Sequence, residues 1–176
     1  MTKEVEIKAL LTEERYRYLK TLLPHKFTKI NEDTMTTIKF KPADVRVRYS
    51  DKMKEVVFKS GDPTHYARDE LSIVLKDDED CGKMISLLES VGLQQEPSWK
   101  KHKQEFILTL DGNDYTLSLQ HIENFAYILE AEIITEEAPE QHIPKLKKIL
   151  EGLGCQPIDP LDFKQKISDY IKTHGR

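Results

Sequence analysis

The chain has 176 residues, a length that fits one domain with room for a hydrophobic core. Charged residues make up 33% of it and the formal net charge is −4, a balance that argues against bulk attraction to nucleic acid or to an anionic membrane. No apolar run approaches the roughly 18 residues of a membrane span, and the N-terminus has no signal-peptide pattern. We therefore expect a cytoplasmic protein that binds neither nucleic acid nor membranes.

The spacing of apolar residues predicts the elements in chain order. Strands are predicted at 3–10, 34–41, 44–50, 54–60, 66–75, 98–110, 113–122 and 126–135, and helices at 12–23, 77–91, 143–153 and 159–171. Thr12 is the predicted cap of the first helix, and Pro24 its predicted stop. Cys81 and Cys155 fall in two separate helices, so we expect reduced core residues. The pattern is that of a single α+β domain over residues 1–176.

The first strand contains E-V-E-I-K, and its alternation puts charged and apolar side chains on opposite faces. Later strands repeat this arrangement. The apolar faces need a cover, which amphipathic helices can provide. The charged faces then belong either to the inside of a curved sheet or to bulk water.

Same-sign pairs of charges bear on this choice. The acidic pairs are Glu4/Glu6 and Glu130/Glu132, and the basic pairs are Arg46/Arg48 and Lys101/Lys103. A sheet face in water is expected to carry side chains of both charges, because opposite charges on neighbouring strands attract and like charges repel. Paired carboxylates suit a hard divalent cation such as Mg²⁺ or Mn²⁺, and paired bases suit phosphate oxygens. The simpler alternative, a sheet with its charged face in water, stays open at this point.

The charged motifs also occur in a characteristic order. They are E-x-E-x-K at 4–8, R-x-R at 46–48, a strand-end Lys at 59, R-x-E at 68–70, K-x-K at 101–103 and E-x-E at 130–132. This ordered set resembles the CYTH domain, a family named for a type of adenylyl cyclase and thiamine triphosphatase and belonging to the triphosphate tunnel metalloenzymes. The resemblance extends from Glu4 to about Phe163. It implies an eight-stranded antiparallel β-barrel, or tunnel, with a charged interior and amphipathic helices outside.

The resemblance also implies roles for particular residues. The expected metal ligands are Glu4, Glu6, Glu70, Glu130 and Glu132, and the expected phosphate-binding bases are Lys8, Arg46, Arg48, Lys59, Arg68, Lys101 and Lys103. Glu130 and Lys8 are also the expected catalytic residues, with Glu130 positioning the attacking water. The expected cofactor is Mg²⁺ or Mn²⁺, which would lie between the paired carboxylates and compensate their repulsion.

Several positions depart from the family pattern. Gln120 stands where the family usually has Asp, Lys103 where Arg is common, Ser72 where a second acid is frequent, and Phe163 where Tyr often occurs. Gln can coordinate through its carbonyl oxygen but brings no charge. We expect a metal-dependent phosphohydrolase acting on inorganic triphosphate, thiamine triphosphate or a nucleoside triphosphate. The alternatives are an adenylyl cyclase and a non-catalytic phosphate or nucleotide-binding module. We expect the protein to be a monomer or a homodimer.

Overall fold

A computed structural model describes residues 3–136 and 138–174 of the chain. The strands are β1 Lys3–Leu11, β2 Thr28–Lys41, β3 Val45–Tyr49, β4 Lys54–Lys59, β5 Ala67–Val74, β6 Gln94–Gln95, β7 Trp99–Leu110, β8 Asn113–Ile122 and β9 Ala126–Thr135. The helices are α1 Glu13–Lys26, α2 Asp78–Ser90, α3 His142–Gly152 and α4 Pro160–His174, and a short 3₁₀ turn covers Pro139–Gln141.

The sheet closes on itself as an antiparallel barrel. Its strands follow the order β3-β4-β5-β1-β9-β8-β7-β2, and pairing of β2 with β3 completes the ring of eight. The short strand β6 pairs with the end of β2. Closure leaves every barrel strand with two neighbours, which removes the exposed edges of an open sheet. The predicted eight-stranded barrel with helices outside is confirmed.

Alternation along β1 separates the hydrophobic core from the barrel interior. Val5, Ile7 and Ala9 are buried beneath the helices, in a cluster that also holds Leu19 of α1 and Leu146 of α3. Full burial of one such aliphatic side chain contributes about 1.5–3 kcal/mol. The polar side chains of β1 therefore point the other way, into the barrel.

Helix α1 is longer than the sequence predicts. Thr12 caps it as expected, since its side-chain oxygen accepts a hydrogen bond of 3.1 Å from the backbone N–H of Arg15. Pro24 does not stop the helix, which continues to Lys26. The proline removes one helical hydrogen bond in the last turn, but the buried Leu23 holds this turn on the barrel and its carbonyl accepts a bond of 2.9 Å from Phe27 N–H.

Two other boundaries differ from the predictions. Strand β2 begins at Thr28 instead of residue 34, because its first half pairs with the long strand β7 as far as Ile107. Cys155 follows α3 instead of lying within it. Cys81 and Cys155 are both buried and free, as expected of core residues.

The expectation that helices cover every apolar strand face is wrong on β4 and β5. Phe58, Leu71 and Ile73 are 41%, 56% and 54% exposed, whereas Val56, in the small core beneath α2, is 9% exposed. Helix α2 thus covers Val56 of β4 but leaves Ile73, its direct partner on β5, exposed. No helix within the described residues is both long enough and apolar enough to cross a membrane.

Candidate active site

One cavity of about 320 Å³ occupies the barrel interior. All the predicted site residues line it, namely Glu4, Glu6, Lys8, Arg46, Arg48, Lys59, Arg68, Glu70, Lys101, Lys103, Glu130 and Glu132. They come from strands that lie far apart in the sequence, so the barrel brings together groups that no local segment could. The alternative of a charged face in bulk water is therefore wrong.

The acidic side of the cavity is a cluster of three carboxylates. Glu6 and Glu132 are directly paired on β1 and β9, and Glu4 is the next inward-facing residue of β1. Each offers one oxygen, and these oxygens lie within 4.8 Å of one another. We call Glu4, Glu6 and Glu132 the acidic cluster. Carboxylate oxygens grouped in this way form a donor set for a hard divalent cation.

The acidic cluster is short of positive charge. Burial and the nearby Glu6 raise the pKa of Glu4 to about 7. Burial together with Glu130, Glu4 and Glu6 raises the pKa of Glu132 well above its ordinary value. Glu6 differs: burial opposes its ionisation, but Lys8 and Lys59 hold its pKa well below the usual range. Two of the three acids therefore lack enough compensation, and a divalent cation would supply it, so the residues present fit Mg²⁺ or Mn²⁺.

Lys59 connects the acidic cluster to Glu70. Its ammonium group contacts a carboxylate oxygen of Glu4 and lies 3.5 Å from Glu6 and 3.2 Å from Glu70. Lys59 is only 3% exposed, and although burial disfavours its charge, Glu6 and Glu4 raise its pKa. Glu70 is predicted as a metal ligand, but in this structure its carboxylate pairs with the ammonium group of Lys59.

Glu130 occupies a different environment from the acidic cluster. One of its oxygens lies 3.0 Å from Lys8 Nζ, and the other accepts a hydrogen bond of 3.3 Å from Gln120 Nε2. Gln120 also donates to Ser118 Oγ over 3.0 Å. Burial opposes ionisation of Glu130, but Lys8 lowers its pKa below the ordinary value. Gln120, at the position where an acid is usual, here binds one of the predicted catalytic carboxylates.

Asp44 organises the arginines and was missed by the sequence analysis. Its two oxygens accept bonds of 2.8 and 3.0 Å from Arg46, and one also accepts a bond of 2.9 Å from Arg68. Although burial opposes its ionisation, Arg46 holds the pKa of Asp44 well below the usual range. The available signal was its place just before R-x-R, at a strand boundary.

Lys101 differs from the neighbouring bases Arg48 and Lys103 in having no ion pair within the described part of the chain. Arg48 lies 3.2 Å from Glu55, and Lys103 lies 2.9 Å from Glu105. Among the described residues, no carboxylate oxygen lies within 4.0 Å of Lys101 Nζ. Burial, together with the neighbouring Arg48 and Lys103, lowers the pKa of Lys101 to about 8. An incoming anion would supply the missing partner.

Helix α4 contributes to the cavity, which the sequence analysis did not foresee. Phe163, Lys164 and Ile167 line it together with Trp99 and Phe125. Trp99 begins β7 and Phe125 lies in the turn between β8 and β9, so this is one end of the barrel. The cavity therefore has a charged middle and an end formed partly by α4.

No protein-family model and no curated protein matches this chain. Solved structures do resemble it. The PH1819 protein from Pyrococcus horikoshii superposes with a TM-score of 0.70 at 20% identity, covering 88% of this chain and 92% of that one. A "putative adenylate cyclase" from Vibrio parahaemolyticus gives 0.66 at 15% identity, covering 87% and 89%.

A third similar structure is HpAC1 from Hippeastrum, described as a "putative adenylyl cyclase" with a dominant triphosphatase activity. Its TM-score is 0.61 at 15% identity, with 90% of each chain covered. At these identities the comparisons establish the fold alone. They confirm the tunnel fold that the resemblance to the CYTH domain implies.

Proposed function

We propose that this protein is a divalent-metal-dependent phosphohydrolase that acts on a small triphosphate bound inside the barrel. One observation carries the proposal: the acidic cluster and the predicted phosphate-binding bases line the same cavity. Carboxylates alone would suit a cation, and bases alone would suit any anion. The two together suit a polyphosphate bound with its metal ion.

The acidic cluster would hold the Mg²⁺ or Mn²⁺ ion, with Glu70 and Glu130 as further predicted ligands near it. When bound, such an ion neutralises charge on phosphate oxygens and lowers the pKa of bound water. The fit rests on the three carboxylate oxygens that lie within 4.8 Å of one another. The raised pKa values of Glu4 and Glu132 agree with it, because without a cation these carboxyl groups hold their protons more tightly.

The bases would grip the triphosphate. Asp44 holds Arg46 in a fixed orientation through its Nε and one terminal nitrogen, and Arg46 lines the cavity. Arg68 also lines the cavity, and its nitrogens donate to Asp44 and to the carbonyls of Lys59 and Ser60, so it contributes mainly a fixed positive charge. Lys101, without a carboxylate partner among the described residues, is free to bind a phosphate oxygen. Phosphoryl transfer needs mainly positioning and stabilisation of negative charge, which fixed cations in a closed barrel supply.

Glu130 and Lys8 would organise the reaction itself. Glu130 is ionised and can accept a hydrogen bond from the attacking water. The water oxygen bonds to the terminal phosphorus, the bridging P–O bond breaks, and its electron pair leaves with the diphosphate, while the proton passes to solvent. Lys8, which contacts both Glu6 and Glu130 and lines the cavity, would offset negative charge that develops on the phosphate.

The similar structures support this proposal without choosing a product. HpAC1 is described as having a dominant triphosphatase activity, and the Vibrio protein as a "putative adenylate cyclase". A cyclase is the second candidate, favoured by the apolar side chains at the α4 end, where a nucleobase could lie. In that reaction the ribose 3′-hydroxyl attacks the α-phosphorus and pyrophosphate leaves.

One assay separates the possibilities. Purified protein is incubated with Mg²⁺ or Mn²⁺ and, separately, with inorganic triphosphate, thiamine triphosphate and ATP. Orthophosphate release supports the hydrolase, whereas cyclic AMP with pyrophosphate supports the cyclase. Saturable binding without turnover indicates a binding module, the reading that the Gln120 bond to Glu130 favours.

Glu6→Gln provides the matched test of the metal site. We expect it to abolish turnover, because it removes a charge from the acidic cluster. Glu79→Gln, on the exposed surface of α2, is the control and should leave the rate unchanged. An undiminished rate in Glu6→Gln removes Glu6 from the metal site.

A further inference from the structure

The cavity changes character toward the α4 end. Its middle is lined by charged side chains, whereas the α4 end is lined by Ile122, Phe125, Ile128, Ile158, Phe163 and Ile167. We call these six residues the apolar end. Phe125 and Phe163 meet edge to face there, with ring centroids 6.4 Å apart.

Lys8 marks the boundary between the two parts. Its ammonium group contacts Glu6 and Glu130 on one side and lies 5.6 Å from the centroid of the Phe163 ring on the other. The backbone joins the same two parts, since Ile158 N–H donates to the Lys8 carbonyl over 2.8 Å. A ligand anchored among the bases near Lys8 therefore reaches the apolar end without a gap.

An inorganic triphosphate makes no use of this end. Every outer atom of that ion is a charged or polar oxygen, and moving such atoms against an apolar wall removes their hydration without replacement. A triphosphate ester with an organic group matches both parts. The aromatic rings of Phe163 and Phe125 further favour a flat group that can stack on them.

The charge at the apolar end favours some flat organic groups over others. The cavity-lining side chains from residues 122–128 and 158–167 include the cation Lys164 and no carboxylate. The charge of the nearby Lys8 is already paired with Glu6 and Glu130. A positively charged ring, such as the thiazolium of thiamine, therefore meets no carboxylate on these segments and is repelled by Lys164. A neutral nucleobase is not, and it can also accept a hydrogen bond from Lys164.

We propose, resting on the function proposed above, that the substrate is a nucleoside triphosphate whose base stacks on Phe163 at the apolar end. Its triphosphate passes Lys8 toward Lys101 and the arginines. The inference names the substrate class and assigns a base-binding role to α4. It holds whether the nucleotide is hydrolysed or cyclised, since both reactions use the same bound base.

Phe163→Ala tests the base site. We expect the variant to raise KM for ATP about tenfold more than KM for inorganic triphosphate, the size of effect that loss of one base–aromatic contact gives. Phe163→Tyr, which keeps the ring, should restore the wild-type ratio of the two KM values. Leu161→Ala is the control on the same helix, because Leu161 is 59% exposed and does not line the cavity.

Lys164→Glu tests the charge argument. Reversing this charge should lower KM for thiamine triphosphate relative to KM for ATP, since a carboxylate attracts the thiazolium ring. An unchanged ratio of KM values overturns the preference for a neutral base. A wild-type KM for inorganic triphosphate or thiamine triphosphate below the KM for ATP also overturns this preference.

A binding measurement keeps the inference testable without turnover. Trp99 is the only tryptophan of the chain and lines the cavity, so its fluorescence reports ligand entry. Wild-type protein should bind a non-hydrolysable ATP analogue more tightly than inorganic triphosphate, and Phe163→Ala should lose that difference while keeping a cooperative thermal transition. Equal affinities in wild type overturn the base site. Turnover of no triphosphate together with selective ATP binding overturns only the proposed reaction.

Discussion

The ammonium group of Lys8 lies 2.6 Å from Glu6 and 3.0 Å from Glu130, so one cation joins carboxylates of two neighbouring strands. Glu130 faces Lys8 directly across the β1–β9 pair, and Glu6 is the previous inward-facing residue of β1. The mutual contact explains why Glu6 and Glu130 stay ionised inside the barrel while Glu4 and Glu132 do not ionise as readily. Lys8 thereby determines which carboxyl groups of the cavity are ionised and can act in catalysis.

Lys8→Met should destabilise the fold. It leaves the half-buried Glu6 and the buried Glu130 without their shared cation, and breaking a buried ion pair from one side costs about 3–5 kcal/mol. Urea unfolding of the metal-free protein should show a loss in that range. Lys145→Met, which removes an exposed pair with Asp111, is the control and should leave the free energy of unfolding nearly unchanged.

The double variant Lys8→Met/Glu130→Gln distinguishes lost charge from lost packing. Removing the carboxylate as well takes away one of the two uncompensated charges, so part of the lost stability should return. A double variant no more stable than Lys8→Met alone would mean that the cost of the single change comes from packing instead.

Glu132→Gln should stabilise the metal-free protein and remove its response to metal. Burial and the neighbouring Glu130, Glu4 and Glu6 raise the pKa of Glu132, so above the pKa that this carboxyl has in the unfolded chain its ionisation opposes folding. Because a raised carboxyl pKa costs stability as pH rises above its unfolded value, the variant should gain most at high pH. Thermal unfolding with and without Mn²⁺ measures both effects. Wild type should melt higher with Mn²⁺, whereas the variant should not; an equal metal shift in both would exclude Glu132 as a ligand.

The sequence predicts the contents of the cavity well because the face that a strand residue takes is a local property. Alternation alone puts Glu4, Glu6 and Lys8 on the face opposite Val5 and Ile7, and β1 has this arrangement. The order of the charged motifs, read as a resemblance to the CYTH domain, then supplies the closed barrel that turns one face of each strand inward.

The pairings inside the cavity could not be predicted in the same way. Lys59 meets Glu4 only because β4 and β1 flank the same strand, β5, and that relation spans more than fifty residues of chain. Asp44 is the first residue of the predicted strand 44–50 and shares the alternation of Arg46 and Arg48, but its bond to Arg68 depends on a contact 24 residues away in the chain. Phe163 belongs to a helix whose docking on the end of the barrel depends on the completed fold.

Binding of inorganic triphosphate should weaken as pH rises through about 8. Burial and the neighbouring Arg48 and Lys103 lower the pKa of Lys101 to about 8, so this group is charged below that pH and neutral above it. Fluorescence titration of Trp99 at pH 6.5 to 9.5 measures the affinity. Lys101→Arg keeps its charge throughout this range and should bind with little pH dependence. Equal pH dependence in both proteins would assign the effect to another group or to the ligand itself.

Asp44→Asn should lower stability at neutral pH by about 3 kcal/mol, because it removes the charge that the half-buried Arg46 and the buried Arg68 share. The sign with pH follows from the direction of the shift. Arg46 holds the folded-state pKa of Asp44 below its unfolded value, despite burial, so the stabilisation is present above the unfolded pKa and is lost as pH falls toward the folded pKa. The difference in unfolding free energy between wild type and variant should therefore be constant from pH 8 to about 5 and shrink below about pH 4.

Asp51→Asn, at an exposed turn position, is the control and should match wild type at every pH. A difference between wild type and Asp44→Asn that grows toward low pH would contradict the assignment of Asp44 as an ionised partner of the two arginines.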